Sequence, residues 1–110
     1  MGAESLVVLC TCPDEGTGQR VARSLVEEGL AACVNAIPNV ASTYRWEDRV
    51  QEDREVLLLI KSSSSVYGRL EARIRDLHPY ELPEVVAVPI VRGSAAYLDW
   101  LQAALHRTNE

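Results

Sequence analysis

Two stretches of this chain are β-branched or apolar throughout, and they limit the fold more than any other feature. Leu6-Val7-Val8-Leu9-Cys10-Thr11-Cys12 and Val56-Leu57-Leu58-Leu59-Ile60 lack the polar–apolar alternation of a strand with one wet face. Both have the length of strands, and a sheet built on them needs cover on both sides. Pro13-Asp14-Glu15-Gly16 ends the first run, with acids placed to suit a helix N-terminus. Val21, Ala22, Leu25, Val26 and Leu30 then recur at helical spacing, and Gly29 marks the stop. Ala32 to Ile37 reads as a second strand, broken at Pro38-Asn39. Val40 to Trp46 continues it, with Val40, Ser42, Tyr44 and Trp46 on one face. Glu47-Asp48-Arg49 is a polar turn, and Val50 to Ile60 returns, so residues 40–60 form a hairpin. Ser62 to Ser65 is a polar start signal for a helix whose stripe is Val66, Leu70, Ile74 and Leu77, stopped by His78-Pro79. Glu84 to Val91 is the last strand, and Pro89 within it demands a sheet edge or a bulge. Ser94 caps a final helix with Tyr97, Leu98, Leu101 and Leu105 on one side.

The order β-α-β-β-α-β plus a C-terminal helix predicts an α+β, ferredoxin-like sheet with the first and third strands central. Those are the two continuously apolar runs. Both crossover helices of such a sheet lie on one face, so the other face is left apolar and open. An open apolar face of that size marks an interface, which predicts a closed homo-oligomer. The competing arrangement folds the last helix over that face in a monomer.

The 110 residues predict a single domain, 1–110, large enough to bury a core without staples. A net charge of −5 argues against nucleic acid or an anionic membrane as partner, since both need clustered Lys and Arg. No segment is long enough for a membrane span. Cys10, Cys12 and Cys33 make an odd count with no disulfide framework, which predicts reduced thiols and a cytoplasmic location.

Candidate chemistry is sparse. Gly16-Thr17-Gly18 lies between strand and helix, but Val21 stands where a dinucleotide loop needs its third glycine, and Asp14 and Glu15 would repel a pyrophosphate. No organic cofactor is expected. Nothing forms a nucleophile–base–orienter set, so the chain does not read as an enzyme. Cys10 and Cys12 share a strand face, and His78 follows a helix. Thiolate and imidazole suit copper or zinc, although a closed structural zinc site needs four ligands. The competing reading makes Cys10 and Cys33 small buried hydrophobes. Tyr44 and Trp46 form either a subunit contact or a ligand platform.

The motifs Val7-Val8-Leu9-Cys10-Thr11-Cys12-Pro13-Asp14, Leu30-Ala31-Ala32-Cys33-Val34-Asn35 and Ser42-Thr43-Tyr44-Arg45-Trp46 resemble the CutA family. So do Glu55 to Lys61, His78-Pro79-Tyr80-Glu81-Leu82-Pro83-Glu84 and Tyr97-Leu98-Asp99-Trp100-Leu101, and the likeness covers residues 6 to 105. The resemblance implies a homotrimer akin in architecture to the PII signalling proteins, with the sheets facing one another. It implies divalent-cation tolerance and binding of Cu2+ or another divalent cation. Cys10 matches a family position linked to copper in some members and His78 matches the histidine of the His-Pro-Tyr motif; the expected ligand set is Cys10 and His78 with an acid such as Glu84. Some members carry a second histidine where Leu77 stands here, and Cys12 occupies a position where other residues are common. Tyr44, Trp46, Lys61, Glu84 and Trp100 match residues lining a cleft between subunits. The alternative function is a PII-like signalling or scaffold trimer that binds a small metabolite or protein in that cleft. The hairpin tip is net acidic, which weakens a nucleotide version.

Overall fold

The computed structural model describes residues 2–106. Its elements run β1 (Ser5–Cys12), α1 (Glu15–Glu27), β2 (Cys33–Trp46), β3 (Arg49–Ser63), α2 (Tyr67–Leu77), β4 (Val86–Pro89) and α3 (Ala95–Ala103). The sheet order is β2-β3-β1-β4, antiparallel throughout, which is the ferredoxin-like arrangement with the two apolar runs at its centre.

Register explains how an all-apolar strand serves two faces. Leu6, Val8, Cys10 and Cys12 pair with Ser62, Ile60, Leu58 and Val56, and all eight are buried. They pack against Val21 and Leu25 of α1 and Leu70 and Ile74 of α2. The intervening residues Val7, Leu9, Leu57 and Leu59 point to the other face and are only half-buried. Ile37, Val86 and Val88 extend that face and are exposed. The apolar composition therefore reflects one face filled by this chain and one left open. The last helix does not cover the open face. α3 closes the end of the domain where β1 begins: Gln102 donates to the Ser5 hydroxyl, and the His106 backbone N–H donates to the Gly29 carbonyl. Leu101 and Leu105 join the core, whereas Tyr97 is exposed and stacks on Trp100, so it is not on the buried side as the spacing predicted.

Local chemistry sets the boundaries. Asp14 caps α1, its carboxylate accepting from the Thr17 N–H at 2.7 Å. Gly16 to Gly18 lie inside the first turn of α1 and are not a loop. A side chain on Gly18 would meet Val56 Cγ1 at 3.4 Å, so glycine lets α1 approach β3 closely. Gly29 ends the α1 segment with φ +72°. Pro38-Asn39 appears as a register shift between Ile37 and Val40. Glu47 and Asp48 both have positive φ and join Trp46 to its partner Arg49, a two-residue type I′ turn. Pro89 sits on an edge strand, where its missing N–H costs no ladder bond. Ser62 and Ser63 correct the sequence reading. They end β3 instead of opening α2, and α2 has no side-chain cap. Both are buried, and Ser62 Oγ donates to the Leu30 carbonyl at 2.8 Å.

β1 pairs with β3 only from Val56 onward, so Arg49–Glu55 and Val40–Trp46 extend beyond the sheet as a two-stranded ribbon. About seven residues at ~3.3 Å each give an overhang of ~23 Å. Tyr44, Trp46 and Val50 are exposed on it.

Candidate functional site

β4 pairs with β1 only from Leu6 to Leu9. Beyond that point the outer edge of β1 has no strand partner among the described residues, and the segment after α2 takes its place. His78 follows Leu77 directly, in extended backbone that the following Pro79 favours. Its ring reaches β1: Nε2 lies 2.7 Å from the Thr11 carbonyl, and Nδ1 accepts the Tyr80 N–H at 3.1 Å. Nδ1 is therefore the acceptor and Nε2 carries the proton. The ring is buried and stacks on Tyr80, with centroids 4.6 Å apart.

This path brings His78 to the helix-facing side of β1, beside Cys10 and Cys12. The two thiol sulfurs and an imidazole nitrogen lie within 4.8 Å of one another, and all three residues are buried. The hydrogen bond it shares with Cys12, and then burial, push the Cys10 thiol far above the usual cysteine range. The same bond holds Cys12 below that range, against the opposing effect of burial. Cys12 is thus the thiol that ionises first, and the Cys10 Sγ–H points to the Thr11 carbonyl at 3.8 Å. The donor chemistry fits a thiophilic ion held by three ligands with a fourth position open. Metal–sulfur and metal–nitrogen bonds of about 2.0–2.3 Å place tetrahedral donors ~3.5 Å apart, so the three need to close in by ~1 Å. The imidazole also has to give up one of its two hydrogen bonds.

The sequence set divides between two places. Cys10 and His78 come together, and Cys12 joins them. Glu84 is exposed and lies outside that group. It lines a cleft of about 590 Å³ with Tyr44 and Trp46, bounded by Thr11, Ser42, Thr43, Glu55, Tyr80, Glu81 and Leu82. Lys61 and Trp100 do not line it. Lys61 sits opposite Cys33 and bonds the Asn35 side chain, and Trp100 is on α3. Glu55 and Tyr80 escaped the sequence reading. Glu55 is buried, and its Oε2 accepts from the Tyr80 hydroxyl at 2.6 Å. Burial and then this bond raise the Tyr80 phenol above its ordinary range. One signal was available, an acid placed directly against the apolar half of β3.

The profile of a family described as CutA1 divalent ion tolerance protein matches residues 6–104. The chain is similar to the divalent-cation tolerance protein CutA of Thermus thermophilus, 50% identical over 96 residues that span 87% of this chain and 93% of that protein. Human protein CutA is 46% identical over 92 residues, 84% of this chain, and the chain spans 51% of the human protein's length. The solved structure of the T. thermophilus divalent cation tolerance protein superposes with a TM-score of 0.91 at 47% identity, covering 93% of this chain and 99% of that one.

Proposed function

Since this chain belongs to the CutA1 family of divalent ion tolerance proteins, we propose that it binds a thiophilic divalent ion, copper foremost, at Cys10, Cys12 and His78, as a cytoplasmic, non-enzymatic homotrimer. The observation that carries the metal reading is the convergence of three soft donors within 4.8 Å from segments 66 residues apart or more. The family's name for itself concerns divalent ions, and this is the one convergent group of ligating side chains among the described residues. Glu84 has no place in that ligand set, and its role belongs to the cleft.

The trimer reading is supported by the open sheet face. Val7, Leu9, Leu57, Leu59, Ile37, Val86 and Val88 form an apolar surface that a second and third copy can bury. Three free thiols suit a reducing compartment.

Calorimetric titration with Cu2+, and with Zn2+ as the redox-silent control, tests the metal site. Wild type takes up one ion per chain, and the Cys10→Ser, Cys12→Ser, His78→Gln triple variant takes up none. Circular dichroism checks that the variant is folded. Equal uptake by a folded triple variant overturns the reading. Sedimentation equilibrium tests the assembly, with three times the 12.2 kDa chain mass expected.

A further inference from the structure

The cleft on the open-face side has a composition that the metal reading does not use. None of Cys10, Cys12 or His78 lines it. Its walls carry three carboxylates, Glu55, Glu81 and Glu84, and among the described residues no Lys or Arg. Tyr44 and Trp46, both about two-fifths exposed, present aromatic surface to it. Glu55 is the informative member. Only 7% of it is exposed, its Oε2 is held by Tyr80, and its Oε1 accepts no hydrogen bond from the described residues. A carboxylate buried that deeply against its own preference, with one oxygen open toward a cavity, is poised for a cationic donor.

Two kinds of cation could answer that charge. A metal ion needs several ligand atoms converging at about 2–2.6 Å. The cleft carboxylates do not converge: among the described residues the only such group is the Cys10, Cys12 and His78 set. An ammonium group needs less. It is satisfied by separate acceptors, and the faces of Tyr and Trp attract it through the ring quadrupole. The volume of about 590 Å³ lies in the range of small-molecule sites.

We propose that this cleft binds a small organic ammonium ligand, an amine carried on an apolar body. The ammonium faces Glu55 and the Glu81/Glu84 pair, and the apolar body lies against Tyr44, Trp46 and Leu82. Thr11 and Ser42 supply hydroxyls for a further polar group. The site gives chemical content to the small-metabolite reading, and its existence does not depend on the metal site.

Titration calorimetry on the full chain tests it with three probes of one shape: 2-phenylethylamine, 2-phenylethanol and 3-phenylpropionate. The amine is expected to bind saturably, and the alcohol and the carboxylate are not. Glu81→Gln with Glu84→Gln, both at exposed positions, weakens amine binding about tenfold. Trp46→Leu weakens it about fivefold. Cys12→Ser leaves it unchanged while removing Zn2+ uptake, so the two sites fail separately. Absence of saturable amine binding overturns the proposal. So does equal binding of the alcohol, an unaltered affinity in the double variant, or displacement of the amine by Zn2+ alone in the Cys12→Ser chain.

Discussion

His78→Phe isolates what the histidine does for the fold from what it could do for a metal. Phenylalanine keeps a planar ring against Tyr80 and removes both ring nitrogens. The Thr11 carbonyl then loses its donor at 2.7 Å, and the Tyr80 N–H loses its acceptor at 3.1 Å. β4 offers no replacement at Thr11, because its pairing with β1 ends at Leu9. A polar group left buried and unpaired costs about 1–3 kcal/mol, and two such groups with partial relaxation cost ~2–4 kcal/mol. Against a typical domain stability of about 5–15 kcal/mol that is a large fraction. At roughly 4 °C per kcal/mol for a domain of this size, the melting temperature falls by ~8–16 °C. Differential scanning calorimetry reads this, at one fixed chain concentration because assembly makes melting concentration-dependent. His78→Gln, whose amide can still donate to Thr11, recovers part of the loss. A fall of less than ~4 °C in the phenylalanine variant refutes the view that His78 completes the β1 edge.

Tyr80→Phe changes the alkaline limb of stability. The Tyr80 phenol titrates above its ordinary value when folded, so its contribution is complete below about pH 10 and is lost as pH rises beyond that. Urea unfolding across that range therefore shows a flatter alkaline decline in the variant. Asp14 behaves in the opposite sense. Its hydrogen bonds from Thr17 hold the carboxyl below its usual range, so its contribution is present at neutral pH and lost as pH falls below about 4. Asp14→Asn keeps the cap and flattens the acid limb, as measured by urea unfolding between about pH 5 and 2. Gly29→Ala meets two obstacles, a φ of +72° and the His106 ring, which occupies the space of the new Cβ. It destabilises by about 1–3 kcal/mol in equilibrium denaturation. Val88→Glu puts a charge on the open sheet face, and sedimentation is expected to show a smaller species with an unchanged circular dichroism spectrum.

The topology was legible because it rests on short-range patterns that also decide tertiary placement. Continuous apolar runs became the central strands, Asp14 became a cap, and Pro89 went to an edge. The reading failed where a tertiary bond overrode composition. Ser62 and Ser63 look like a helix start, yet β1 pairs with them to its first residue, and Leu30 satisfies the Ser62 hydroxyl. No local pattern announces an acceptor 32 residues away. The spacing of Cys10 and Cys12 on one face was equally legible. Their meeting with His78 depends on the path of residues 78–85, which sequence does not encode at any fixed interval. The same path leaves Glu84 out of the Cys10, Cys12 and His78 group and puts it, with Trp46, in the lining of the cleft.

The two candidate sites are one residue apart in the chain. The two-residue period of β1 sends Cys10 and Cys12 to the helix side and Thr11 to the cleft. Thr11 also accepts the His78 hydrogen bond, and the next residues along, Tyr80 and Glu81, line the cleft. A ligand atom that draws His78 away from Thr11 therefore pulls on the segment that holds Tyr80 over Glu55. The Thr11 carbonyl and the segment from His78 to Glu81 thus lie between the thiol side and the acidic side of a single strand. Occupancy of either site is then expected to alter the affinity of the other, by the same factor in both directions.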